Sequence, residues 1–145
     1  MNPRKKVQTN TVMNKKGLER LQALMNEISE WSDEQFNEGV FNHERSLPIA
    51  HHLKKESEEL IEALSIFFSN RKTDDFSIKI ENIGEELADV FMLILDCATH
   101  MGYDSDDLVT AAFNKLEVNR GRKWGKPDKN GVVEHIKNNE SLKHE

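Results

Sequence analysis

The chain has 145 residues, 37% of them hydrophobic and 32% charged, which fits one water-soluble domain large enough to bury a core. Twenty Lys and Arg against 26 Asp and Glu give a formal net charge of −6, the wrong sign for a general nucleic-acid coat. No apolar run approaches the ~20 residues of a membrane span, no signal-peptide pattern follows the basic start, and the single cysteine, Cys97, excludes an internal disulfide and fits a cytoplasmic protein.

Residues 1–15 have little apolar content and read as a flexible basic arm. From Gly17 to Phe36, the residues Leu18, Leu21, Met25, Ile28 and Trp31 recur every three or four positions, as in an amphipathic helix. Residues 37–46 read as a loop, and Pro48 suits the first turn of a second helix reaching Ser69. Leu53, Leu60, Ile61, Leu64, Phe67 and Phe68 form its expected buried stripe. After a connection over 70–77, a third helix is expected at 78–101, the most apolar and so the most buried, with Gly102 as its stop. Asp104 to Asp107 can cap a fourth helix running to about Lys123, with Leu108, Ala112 and Leu116 in register. Gly125, Pro127 and Gly131 make the remainder an extended polar segment. No alternating strand pattern and no internal repeat stands out. The expected architecture is all-α, a four-helix bundle over residues 16–136 with a polar tail at 137–145.

Carboxylates recur on two of these helices in one pattern. Leu53-x-x-Glu56-x-x-Glu59-Leu60-Ile61 on helix two is matched by Ile83-x-x-Glu86-x-x-Asp89-Val90-Phe91 on helix three. Residues three apart share a helix face, so each helix presents two acids together, with Glu86 inside the apolar arc of helix three and Glu56 at the edge of the helix-two stripe. Glu58 and Glu62 point away and read as ordinary solvent charges. The two acid pairs are equidistant from the connection, and a short connection makes the helices antiparallel, which brings all four acids level. Such a cluster repels itself unless a cation sits within it. All-oxygen ligands without His or Cys favour Mg²⁺ or Mn²⁺ over zinc. A di-iron bundle requires Glu-x-x-His on two helices, and neither Glu56 nor Glu86 has it. The bland alternative is a solvated acidic face.

Lys115, Asn119 and Arg122 follow one another at four and three residues near the end of helix four, and Lys123 and Trp124 come next. A cationic strip of this kind takes phosphate oxygens that a metal leaves free; the alternative is a simple offset of the helix dipole. Gly121-x-x-x-Gly125-Lys126 is one residue short of a P-loop, and Pro127 stands where that motif needs Ser or Thr. His51 and His52 are adjacent and cannot share a face, but His52 lies one turn before Glu56 and suits a role beside the acids. Trp31 and Phe36 are either core or a stacking surface for a nucleobase. Cys97 sits among apolar residues and reads as core.

The ordered set resembles the MazG-like all-α nucleoside triphosphate pyrophosphatases. His52 to Leu60, Glu86-Leu-Ala-Asp89, Lys115-x-x-x-Asn119-Arg120-x-Arg122-Lys123-Trp124-Gly125-x-Pro127 and Gly131-Val-Val-Glu134-His135 look like their dATP/dGTP pyrophosphohydrolase branch. The similarity covers residues 28–136. It implies hydrolysis of a purine deoxynucleoside triphosphate to the monophosphate and pyrophosphate by attack of water, with Mg²⁺ or Mn²⁺ held by Glu56, Glu59, Glu86 and Asp89, which are the implied catalytic residues. It also implies a homodimer or homotetramer, with no stable nucleic-acid complex. Lys115, Asn119, Arg122, Lys123, Trp124, Trp31 and His52 are the expected substrate contacts. One departure from the superfamily is Lys55, where an acid often stands; helical geometry places it on the outer face. The competing class is a helical adaptor that contacts nucleic acid through its basic segments.

Overall fold

The structure, a computed structural model, describes residues 15–36, 43–69 and 76–137. Of the expected arm over 1–15, all but Lys15, which instead begins α1, lies outside the described residues, as do 138–145 of the expected tail over 137–145 and most of the two connections. Among the described residues there are four α-helices: α1 Lys15–Phe36, α2 His43–Ser69, α3 Phe76–His100 and α4 Ser105–Arg120. The described residues form an all-α arrangement, as the periodicity indicates. The chain divides into two compact units, residues 1–108 and 109–145, and each is described by itself.

In the first unit α3 is central and packs along both α2 and α1. Met25, Ile28 and Leu95 form the buried centre, joined by Leu21, Met92, Ala98 and Leu108. The α2–α3 pair is antiparallel: Cys97 Sγ meets the Ser46 carbonyl at 3.8 Å, while Glu56 lies beside Glu86 and Asp89. The α1–α3 pair runs the same way, with Ser32 on Asp96 and Gln22 accepting from the backbone N–H of Ser105 beyond the end of α3.

Helix α3 ends where Gly102 adopts φ 82°, a conformation that costs a residue with a Cβ. The N–H of Gly102 bonds to the Thr99 carbonyl and that of Tyr103 to the Ala98 carbonyl, each at 2.9 Å, a Schellman stop. Asp104 and Asp107 then cap α4 reciprocally: Asp107 N–H donates to Asp104 Oδ1 and Asp104 N–H to Asp107 Oδ2.

Three expectations need correction. Helix α2 begins at His43, inside the stretch read as a loop, so Pro48 lies within the helix and not in its first turn. The early start is held by Arg45 and Ser46, which are buried, and by Arg45 bonding back to α1. Second, Ile61 and Phe68 of the expected α2 stripe are exposed, as are Ile80, Leu87, Phe91 and Ile94 of α3. A helix central to its unit is not thereby covered on every side. Third, α4 stops at Arg120 and the segment after it folds back on itself. Trp124 and His135 form an isolated antiparallel bridge, flanked by Gly125 N–H to the Glu134 carbonyl and Ile136 N–H to the Lys123 carbonyl, both 2.9 Å. Asp128 closes the reversal, accepting at Oδ1 from the N–H groups of Asn130 and Val132. No described helix is long and apolar enough to cross a membrane.

Candidate active site

Glu56 of α2 and Glu86 and Asp89 of α3 come together from the antiparallel pair. Each supplies a carboxylate oxygen, and these atoms lie within 4.8 Å of one another. Glu56 is buried, and its Oε1 is 2.8 Å from His52 Nε2, one turn earlier on the same helix. Burial, and then the negative charges of Glu59, Asp89, Glu56 and Glu85, push the Glu86 carboxyl above the usual range. An acid in that position holds its proton more tightly for want of a compensating positive charge. A hard divalent cation answers the requirement, and three carboxylates without a competing sulfur or imidazole ligand suit Mg²⁺ or Mn²⁺. The residues fit such an ion.

Glu59, the fourth expected acid, lies close enough for its charge to act on Glu86, but its Oε1 is 2.7 Å from Lys55 Nζ. Lys55 is exposed, as the helical geometry indicates, but its ammonium reaches along the helix to the acids, ending 3.9 Å from Glu56 Oε1 as well. A hydrogen bond and attraction from Glu59, reinforced by Glu56, raise the Lys55 pKa, so it stays charged. A four-carbon stem lets a residue on one helix face deliver its charge to another. Glu58 and Glu62 are exposed, as expected.

The acids open onto a cleft of about 390 Å³ in the first unit. Glu56, Asp89 and His52 line one part of it, and Trp31, Phe36 and Pro48 supply an apolar wall. Trp31 and Phe36 meet edge to face at 5.5 Å and are each about half exposed, at 50% and 53%, so neither is core. Arg45, Ser32 and Asp96 line it too, together with the apolar Ile28, Ile49, Met92 and Leu93. The three polar residues are buried and linked in series: Arg45 Nη2 donates to Ser32 Oγ at 2.5 Å, and Ser32 Oγ–H donates to Asp96 Oδ2 at 2.7 Å. Arg45 Nη1 also donates to the Phe36 carbonyl, and its guanidinium lies 5.7 Å from the Phe36 ring centroid. His100 backs the group, with Nδ1 at 2.8 Å from the Asp96 carbonyl and Nε2 at 3.1 Å from Asp33 Oδ1.

Sequence reasoning missed this group. Arg45 was hidden in a stretch read as loop, and Ser32 carries no distinctive pattern. Asp96 did leave a signal, being one acid inside the run Met92 to Cys97 that is otherwise apolar. His51 is exposed and not among the grouped ligands. Cys97 is partly buried, and burial followed by the charge of Asp96 pushes its thiol up, away from nucleophilic use.

In the second unit, Lys115 and Lys123 are exposed. Arg122 lies two residues beyond the end of α4, so helical spacing no longer sets its direction, but its Nη1 reaches back to Asn119 Oδ1 at 3.0 Å. Trp124 Nε1–H donates to the Asn119 carbonyl at 3.3 Å, and its ring meets His135 edge to face at 6.3 Å. Asn119 thus ties Arg122 and Trp124 to the last turn of the helix.

Comparison with known proteins bears on the same residues. Residues 80–142 match the dATP/dGTP pyrophosphohydrolase family, a stretch that holds Glu86, Asp89 and the whole basic strip but not Glu56 or Glu59. A dATP/dGTP diphosphohydrolase of Cyanophage S-2L is 45% identical over 51 residues, 35% of this chain and 45% of that relative. The match therefore spans less than half the length of that curated relative. No solved structure matches the chain. The resemblance read from the motifs holds where it can be compared: over residues 80–142 this chain carries the sequence pattern of the dATP/dGTP pyrophosphohydrolases.

Proposed function

We propose that the protein hydrolyses purine deoxynucleoside triphosphates, dATP or dGTP, to the monophosphate and pyrophosphate by attack of water, with Mg²⁺ or Mn²⁺. The observation that carries this reading is the meeting of Glu56, Glu86 and Asp89 beside an aromatic-walled cleft, two of the three lying inside the family match. A divalent ion bound by these carboxylates, with Glu59 beside them, supplies charge to neutralise phosphate oxygens and to acidify water. The chain's own groups do the rest. His52 holds one oxygen of Glu56 and so fixes the direction of that carboxylate. Trp31 and Phe36 offer a flat surface for the base. Lys115 and Arg122, with Asn119, Lys123 and Trp124, are proposed on their sequence pattern as contacts to phosphate and substrate.

The exposed apolar side chains Ile61, Ile66 and Phe68 of α2 and Leu87, Phe91 and Ile94 of α3 suit self-association, and we propose a homodimer or homotetramer, measurable by sedimentation. A single thiol held in its protonated range suits a cytoplasmic setting. Release of pyrophosphate from dATP and dGTP in the presence of Mg²⁺ tests the activity.

A further inference from the structure

Lys55 is a cation that the structure pairs with the acids, and its partner is the acid that stands apart. Glu56, Glu86 and Asp89 bring their oxygens within 4.8 Å of one another, and Glu59 is not in that group. Its Oε1 instead meets Lys55 Nζ at 2.7 Å, one helical turn away. The same ammonium lies 3.9 Å from Glu56 Oε1, whose nearer partner is His52 Nε2 at 2.8 Å. The Lys55 side chain is 67% exposed, so its flexible stem can turn to a new partner at little cost.

Two cations therefore have claims on one carboxylate. A hard divalent ion at Glu56, Glu86 and Asp89 wants further oxygen ligands, and Glu59 can supply one only when Lys55 releases it. A triphosphate brings negative charge of its own to a place already crowded with acids, more than a divalent ion alone offsets. An ammonium freed from Glu59 then finds a new anion within the swing of its own side chain. Lysine suits such an exchange, because it is a compact point charge whose contacts need no fixed fork geometry.

We infer that Lys55 is a movable counter-ion that couples metal binding to nucleotide binding, an inference that rests on the triphosphate reading of the acids. In the free protein its ammonium occupies Glu59 and so weakens the site for a divalent ion. With nucleotide bound, Lys55 donates to a phosphate oxygen and Glu59 is left to the ion. Removing the charge at this position therefore acts with opposite sign on the two ligands: the metal alone binds more tightly, and the nucleotide binds more weakly. An ordinary surface ion pair accounts for the first effect but not for the second.

The test compares the full-length wild type with Lys55→Met and Lys54→Met by calorimetry. Lys54 is the exposed neighbour with the same charge, so its variant controls for net charge. Metal-free protein is titrated with Mg²⁺ alone. Protein saturated with Mg²⁺ is titrated with the α,β-methylene analogues of dATP and dGTP, in which carbon replaces the bridging oxygen that hydrolysis would release. Lys55→Met should bind Mg²⁺ no more than a few-fold more tightly and the analogues several-fold more weakly, while Lys54→Met matches the wild type in both titrations. Unchanged analogue binding in Lys55→Met overturns the inference and leaves the hydrolase reading intact. Weaker binding of both ligands overturns it too, as do equal effects in Lys54→Met. A wild type that binds neither analogue in the presence of Mg²⁺ overturns both readings together.

Discussion

Lys55 Nζ lies 2.7 Å from Glu59 Oε1 and so sets a cation beside the acid cluster. Its charge competes with a divalent ion for the same carboxylates. Lys55→Met should therefore tighten Mg²⁺ binding, measured by calorimetry on the metal-free protein. The pair is exposed and screened by solvent, so the gain should be no more than a few-fold. Weaker Mg²⁺ binding in the variant would show that Lys55 organises Glu59 for the metal.

The raised pKa of Glu86 gives a signed pH dependence. Its folded value lies above its unfolded value, through burial and then the neighbouring charges of Glu59, Asp89 and Glu56. Between those two values the folded state binds more protons than the unfolded chain, so stability falls as pH rises through the window. Without metal, thermal melts of the wild type should lose Tm as pH climbs out of the carboxylate range, and Glu86→Gln should lose less. Added Mg²⁺ should reverse the trend, since it binds the ionised form. Parallel Tm curves for the two proteins would place Glu86 outside the acid cluster's field.

The helices and the acid cluster were legible because both depend on local period. Leu18 to Trp31 repeat every three to four residues, and Glu56 with Glu86 and Asp89 can be placed level from loop symmetry alone. Lys55 is on the outer face as helical geometry indicates, but the reach of its ammonium was not legible, because backbone geometry fixes a Cβ direction while a long flexible stem decides where the charge ends. The Arg45–Ser32–Asp96 series depends on three helices meeting, and no spacing within one helix encodes it. The exposed apolar positions have a simpler origin: a side chain such as Ile61 or Phe68 signals burial but does not say against what.

Removing either proposed phosphate contact tests the basic strip. Lys115→Ala and Arg122→Ala should each lower kcat/KM by about 1.5–3 kcal/mol, the scale of a lost charge-assisted hydrogen bond. A change confined to Tm would assign both residues to the helix terminus alone. Arg122→Ala also frees Asn119 Oδ1, so circular dichroism and Tm of that variant are read beside its kinetics.

Trp31 is half exposed on the cleft wall, where its loss removes surface without opening a core cavity. Trp31→Ala should raise KM for dGTP or dATP more than it lowers kcat, by about 1–3 kcal/mol if the base stacks there. Nucleotide binding with Mg²⁺ should also quench tryptophan fluorescence in the wild type and less in the variant. Unchanged KM and unchanged quenching would put the base on another surface.

The most direct test of the central claim is identification of the products from dGTP and dATP by phosphorus NMR, with Mg²⁺ and with chelator, for wild type and for Glu56→Gln and Glu86→Gln. The expected result is monophosphate and pyrophosphate in equal amounts from the wild type with Mg²⁺, and none with chelator. Both variants should keep their helical circular dichroism and lose turnover, because each removes a ligand charge and no packing group. Diphosphate and orthophosphate as products, or undiminished turnover in both variants, would contradict the account.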